Sequence, residues 1–155
     1  MSIRVRVTCI CIRDGKIVLM KKLVPSYVTY NQLTPPGGGV EFQETLEQAC
    51  IREMDEETGL IVRNPQMAGV ETFMSRRDEA HTVTFYFVTD EVNGELLVKE
   101  PHKHIPYWVE LDELPSHASV PEYYKEIMAR AIRRGPLFHA RVEFLEPEGK
   151  VVWSL

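Results

Sequence analysis

The chain has 155 residues, 44% of them hydrophobic, which fits a single domain spanning 1–155 with a real core and argues against a disordered chain. A net charge of −5 and a pI near 5.6 argue against binding to a nucleic-acid polymer, which calls for a basic face; nucleotides stay open, because a metal can meet their phosphates. No apolar run is long enough to span a bilayer, so no membrane association is expected. Cys9, Cys11 and Cys50 form no paired framework, which reads as reduced thiols in a cytoplasmic protein.

In chain order, "IRVRVTCICI" alternates Ile3, Val5 and Val7 against Arg4, Arg6 and Thr8, the period of a strand. "RDGK" at 13–16 is a hairpin signal and "IVLMKKL" the returning strand. "VPSYVTYNQ" is a loop, and "LTPPGGGV" is expected to be irregular because two prolines and three glycines punctuate it. A helix follows, opened by a capping box at Thr45 and Gln48 and stopped by Gly59. "GVETFMS" and "HTVTFYFVTDEV" read as strands, "NGE" as a turn, "LLV" as another strand and "YWVELDEL" as a short one leading to a turn. "PEYYKEIMARAIRR" is a second helix, from Pro121 to just before Gly135. The tail "PLFHARVEFLEPEGKVVWSL" predicts a hairpin turning at "PEGK". Short strands mixed with two separated helices predict an α/β (α+β) architecture, a mixed sheet with helices packed on it.

The first helix breaks its own pattern. Leu46, Ala49 and Cys50 share one face with Met54 at its flank; Glu53 and Glu57 fall on that face, and Glu56 lies beside it. Carboxylates at i, i+3 and i+4 repel, and the C-terminal half of a helix disfavours negative charge, each effect costing a few tenths to about 1 kcal/mol. Two readings fit: a solvated acidic face, or a seat for a divalent cation, with oxygen-only donors suiting Mg²⁺ or Mn²⁺.

The stretch from Gly38 to Leu60 fits G-x5-E-x7-R-E-U-x-E-E-x-G-U, with U a bulky aliphatic residue: Gly38, Glu44, Arg52, Glu53, Met54, Glu56, Glu57, Gly59 and Leu60 fill every fixed position. This resembles the box of the Nudix (MutT-like) hydrolases, and Pro36, Glu41 and the "WVELDEL" run agree with it. Gln43 stands where many members have glycine. The resemblance covers about residues 3–134, leaving 135–155 as an extension. It implies a mixed sheet sandwiched between helices and metal-dependent hydrolysis of a phosphoanhydride in a nucleoside diphosphate linked to another moiety. A nucleoside triphosphate or an ADP-ribose-like compound would serve as substrate; the alternative is a catalytically silent nucleotide-binding or regulatory module. It also implies Glu53, Glu56 and Glu57 as ligands of Mg²⁺ or Mn²⁺ with the Gly38 carbonyl beside them, Glu53 as the expected general base, and Arg52 and Glu44 as a supporting pair. Glu100, the only acid in "KEPHKHIPYW", is a further candidate ligand; His102 and His104 read as solvated loop residues, with metal binding the minority reading.

Substrate contacts are less legible. Arg6 on a strand face, Tyr27 and Tyr30 before the glycines, and Arg76 and Arg77 in a loop are candidates for phosphate or base contact. A two-stranded tail is marginal alone, so it must dock on its own sheet or on a second subunit, and a homodimer is expected.

Overall fold

The alternation that begins at Arg4 builds the centre of the molecule. The computed structural model describes residues 1–155. In chain order the elements are β1 (Arg4–Arg13), β2 (Lys16–Lys22), β3 (Leu33–Thr34), β4 (Gly37–Gly39), α1 (Leu46–Thr58), β5 (Ile61–Arg63), β6 (Gln66–Ser75), β7 (Ala80–Thr89), β8 (Glu91–Asn93), β9 (His104–Glu110), a 3₁₀ turn (Leu114–Ser116), α2 (Glu122–Arg133), β10 (Phe138–Leu145) and β11 (Lys150–Ser154). The main sheet has nine strands in the order β11-β10-β6-β7-β1-β2-β3, with β4 also paired to β1 and β9 to β2; β5 and β8 form a separate ribbon. The β1–β7 and β10–β6 pairs are parallel and the rest antiparallel.

Period-two alternation divides the interior into two layers. Val7, Cys9, Cys11, Val18, Met20 and Phe87 pack with Ala49, Cys50 and Met54 of α1. Ile10, Ile17, Leu19, Tyr86 and Val88 pack with Ile127, Met128 and Ala131 of α2. The mixed sheet is thus sandwiched between the two helices, as the sequence predicts. All three cysteines are buried free thiols. No helix is long and apolar enough to cross a membrane.

Local chemistry explains the turns. Asp14 (φ 52°) and Gly15 (φ 74°) both take positive φ, the geometry of a type I′ turn, so β1 runs directly into β2. The Thr45–Gln48 capping box forms as predicted, and Gly59 closes α1 at φ 74°. At the end of α2 the left-handed residue is Arg134 (φ 51°) rather than Gly135.

Three further expectations need correction. The proline-glycine segment is not wholly irregular: β3 pairs with β2, and β4 lies along β1. A side chain on Gly37 would collide with the Val7 carbonyl, so glycine is what lets this backbone approach β1. "LLV" at 96–98 is not a strand. The Leu97 amide instead donates to the Thr58 carbonyl at 2.8 Å, satisfying an otherwise unpaired group at the end of α1. The strand read from "YWVELDEL" begins earlier, at His104, because β2 offers a full antiparallel partner from Lys16 to Lys22.

The tail hairpin docks on its own sheet. β10 pairs with β6 from Phe138↔Gly69 to Phe144↔Ser75, burying Phe138, Ala140, Val142 and Phe144. Phe138 lies over Gly69, where any side chain would strike its ring, and its own ring centre is 5.6 Å from that of Tyr86. Phe138→Ala is therefore expected to cost about 3–5 kcal/mol. Urea unfolding should show a lowered midpoint with an unchanged slope; an unaltered midpoint would mean that the tail is not part of the cooperative unit.

Candidate active site

The acidic stripe on α1 is organised by one cation. Arg52 Nε and Nη2 donate to the two oxygens of Glu44 at 2.7 and 2.9 Å, a bidentate pair. Nη1 donates to Glu53 at 2.8 Å and to Glu56 at 3.1 Å, and Nη2 also reaches the Gly39 carbonyl at 2.9 Å. Glu41 stands 3.9 Å from the same guanidinium. Hydrogen bonding to Arg52 holds the Glu44 carboxyl below its usual range, while Glu44 foremost pushes the Arg52 pKa up. Glu44 fastens the loop a second time by accepting from the Glu41 amide at 3.0 Å. A side chain on Gly38 would overlap the Glu53 carboxylate, so the glycine opens the space this acid occupies. Glu53 is half-buried and Glu56 exposed.

Glu57 stands apart from this group. It is buried and makes no pair with Arg52; it accepts from the Gly37 amide at 3.0 Å. Burial pushes its carboxyl up to about 7, opposed by Lys22 and by the Gly37 N–H. Facing it are Glu100 and His104, and one donor atom from each of the three lies within 4.8 Å of the others. His104 is not a solvated loop residue: it is 4% exposed and opens β9 opposite Lys22. Burial, with Lys22 adding to it, lowers its pKa to about 4. Lys103 donates to Glu100 at 2.8 Å and keeps that carboxyl ionised to lower pH.

Next to these carboxylates, on the α2 side of the sheet, lies a cavity of about 330 Å³. Arg4, Arg6 and Lys22 supply positive charge, and Tyr27, Phe73, Tyr123 and Tyr124 supply aromatic surface. Gly37 belongs to both places, lining the cavity and donating to Glu57. Glu71 also lines the cavity although it is 4% exposed, and it accepts from the Tyr86 hydroxyl at 2.6 Å. Burial raises the Glu71 carboxyl to about 7, against the pull of Tyr86 and Arg6.

A family model described as the NUDIX domain matches residues 2–131. The chain belongs to the Nudix family. It is 35% identical over 106 residues to an ADP-ribose pyrophosphatase of Methanocaldococcus jannaschii, an alignment covering 68% of this chain and 61% of the relative, so it spans about three fifths of that protein's length. An uncharacterized Nudix hydrolase of Bacillus subtilis, YvcI, is 32% identical over 121 residues, 75% of this chain and 72% of the relative. The crystal structure of a MutT protein from Bacillus halodurans superposes with a TM-score of 0.80 at 21% identity, over 98% of this chain and 97% of that one, which shows the shared fold.

Within this Nudix fold the sequence candidates separate. Gly38, Glu44, Arg52, Glu53 and Glu56 converge around one guanidinium and its loop, and Glu57 with Glu100 forms a second acidic group beside it. Arg6 and Tyr27 line the cavity, whereas Tyr30 is an exposed neighbour that does not. Arg76 and Arg77 lie in the turn between β6 and β7, away from the cavity. Arg76 borders a larger but more open depression of about 520 Å³ with Met1, Ile3 and His81, and Arg77 stacks over the Phe144 ring at 5.8 Å. Lys22, Glu71, Tyr123 and Tyr124 carry no motif signal in the sequence, and His104, expected to be solvated, is buried. Strand parity was the available signal for Glu71, which shares the face of Phe73.

Two outcomes follow from these contacts. Arg52→Lys keeps a charge but loses the fork, so stability should fall by about 1–3 kcal/mol and amide hydrogen exchange should accelerate across residues 37–44; unchanged exchange there would show that Arg52 does not hold the loop. Glu71 binds its proton more tightly folded than unfolded, so its burial weakens the fold as pH rises from about 4.5 to about 7 and changes nothing above that. Glu71→Gln, whose amide oxygen can still accept from Tyr86, should therefore gain on the order of 1–3 kcal/mol over the parent at pH 8 and nothing at pH 4. Parallel stability curves across that range would contradict the assignment.

Proposed function

We propose that this protein is a divalent-metal-dependent pyrophosphatase that hydrolyses a phosphoanhydride in a nucleoside diphosphate derivative, with ADP-ribose-like compounds the leading substrate class and nucleoside triphosphates next. The observation that carries this reading is the shared wall at Gly37: a basic, aromatic-lined cavity opens directly beside the carboxylates of α1. The name of the Methanocaldococcus relative supports the ADP-ribose class.

The residues fit a hard divalent ion, Mg²⁺ or Mn²⁺. Glu53, Glu56 and Glu57 with the Gly38 carbonyl would hold it, and Glu100 stands close enough to join. A buried Glu57 whose carboxyl rises to about 7 is an anion short of positive charge, the condition a cation relieves. The bound ion would neutralise phosphate oxygens and acidify a coordinated water.

The protein's own groups supply the rest. Arg4, Arg6 and Lys22 attract the diphosphate, and the aromatic residues of the cavity stack on the base. Arg52 fixes the Glu53 carboxylate in its half-buried position at 2.8 Å. Glu53 accepts the proton of the attacking water as its oxygen bonds to phosphorus, and the bond from phosphorus to the bridging oxygen breaks, releasing the second phosphate. Free thiols suit a reducing cytoplasmic setting. The edge strand β11, with Val152 and Trp153 partly exposed, is the surface for a homodimer, and light scattering that gives a monomer at micromolar concentration would remove it.

Product release from ADP-ribose, NADH, nucleoside triphosphates, dinucleoside polyphosphates and nucleotide sugars tests the whole reading. Metal-dependent turnover is expected, falling at least about 100-fold in Glu53→Gln. Binding of these compounds without turnover on any of them would favour a silent nucleotide-binding module instead.

A further inference from the structure

His104 opens β9 with its side chain turned into the acidic pocket rather than toward solvent. Its Nε2 is fully buried and has no hydrogen-bond partner. Leaving a buried nitrogen unpaired costs about 1–3 kcal/mol, so such a group calls for an occupant. Glu100 Oε2 lies 3.4 Å from it without making a hydrogen bond. Glu57 completes the group, with one donor atom of each residue within 4.8 Å of the others. Three donors each about 2.2 Å from one cation stand about 3–4 Å apart in pairs, and donors spread to this group's limit would each move inward by about half an ångström to close on one ion.

The scaffold holds this arrangement in place. The Lys103 and His104 amides both donate to the Glu100 carbonyl, at 2.9 and 3.1 Å, which ties the acid to the histidine through a tight turn. The Leu23 amide donates to Lys103 O at 2.9 Å, and Lys22 pairs with His104 in the ladder, so the turn is anchored to β2. Glu57 is fixed from the other side by Gly37 N–H. Donors positioned by a sheet and a helix are preorganised for a ligand.

We propose that His104, Glu57 and Glu100 form a mixed nitrogen–oxygen seat for a first-row transition-metal ion, selecting Mn²⁺ and its heavier neighbours over Mg²⁺. An imidazole nitrogen discriminates in that direction, because Mg²⁺ prefers oxygen donors and gives up its water reluctantly. This seat rests on the proposed function in sharing Glu57 and Glu100 with the metal site proposed there. Its buried nitrogen ligand comes from the strand after the loop, so it adds metal selectivity that a carboxylate-only helix lacks.

Pulsed electron paramagnetic resonance of Mn²⁺ bound to the full chain tests the proposal. The expected result is ¹⁴N modulation from one coordinated imidazole in the parent protein, retained in Glu53→Gln and abolished in His104→Asn. Mn²⁺ affinity measured against Mg²⁺ competition should fall at least about 10-fold in His104→Asn. Should that buried substitution unfold the chain, Glu100→Gln, on a partly exposed side chain, is expected to weaken Mn²⁺ by a similar factor while leaving the circular dichroism intact. Mn²⁺ bound without nitrogen modulation in the parent overturns the proposal, as does modulation that persists in His104→Asn or an unchanged Mn²⁺ affinity in Glu100→Gln. Nitrogen modulation without turnover would sink the pyrophosphatase reading and leave this seat standing; turnover without modulation would do the reverse.

Discussion

The Arg52 guanidinium is the constraint around which the site is arranged. Without it, Glu44, Glu53 and Glu56 would repel one another and the loop carrying Gly38 and Gly39 would lose a direct tie to the helix. A planar fork with several fixed donors can hold a loop acid, two helix acids and a loop carbonyl at once, which a lysine cannot do. The cost of clustering acids on the C-terminal half of a helix is thereby offset within the protein itself. The charge left uncompensated by Arg52 is on Glu57, which lies on the side facing the cavity, Lys22 and His104.

Glycine matters here by what it omits. Gly37 lets backbone lie against β1, and Gly38 leaves room for the Glu53 carboxylate. Pro35 and Pro36 lead into this segment, and the Cys9 amide donates to the Pro36 carbonyl at 2.9 Å. The loop is therefore a backbone surface pressed against the sheet, with little side-chain volume between the strand and the acids of α1.

Much of this was legible in the sequence, for identifiable reasons. The capping box, the Gly59 stop and the violated amphipathic pattern of α1 are local signals, and all three appear in the structure. The hairpin at Asp14–Gly15 and the alternation of β1, β7 and β10 are also local. What stayed hidden depends on which strands become neighbours. Lys22 lies at the end of a strand in the sequence, and only the pairing of β9 across from it brings it beside Glu57 and His104. His104 reads as a loop histidine until the same pairing buries it. Leu96–Val98 carries strand composition but finds no ladder, and its backbone closes a helix end instead. Arg76 and Arg77 follow β6 in sequence, yet β6 is ten residues long and carries them past the cavity.

The way β1 serves both halves of the site bears on how such a protein can change. Its main chain at Arg6, Val7 and Thr8 is in register with Gly39, Gly38 and Gly37, while the side chains of Arg4, Arg6 and Thr8 line the cavity. The seat of the glycine loop thus depends on the strand's amides and carbonyls, which every amino acid except proline provides alike. Ligand choice depends on its alternate side chains, which can be exchanged singly. A lineage could therefore change what the cavity accepts along this strand without disturbing the loop that holds the acids, because the two kinds of inheritance are written in different atoms of the same residues.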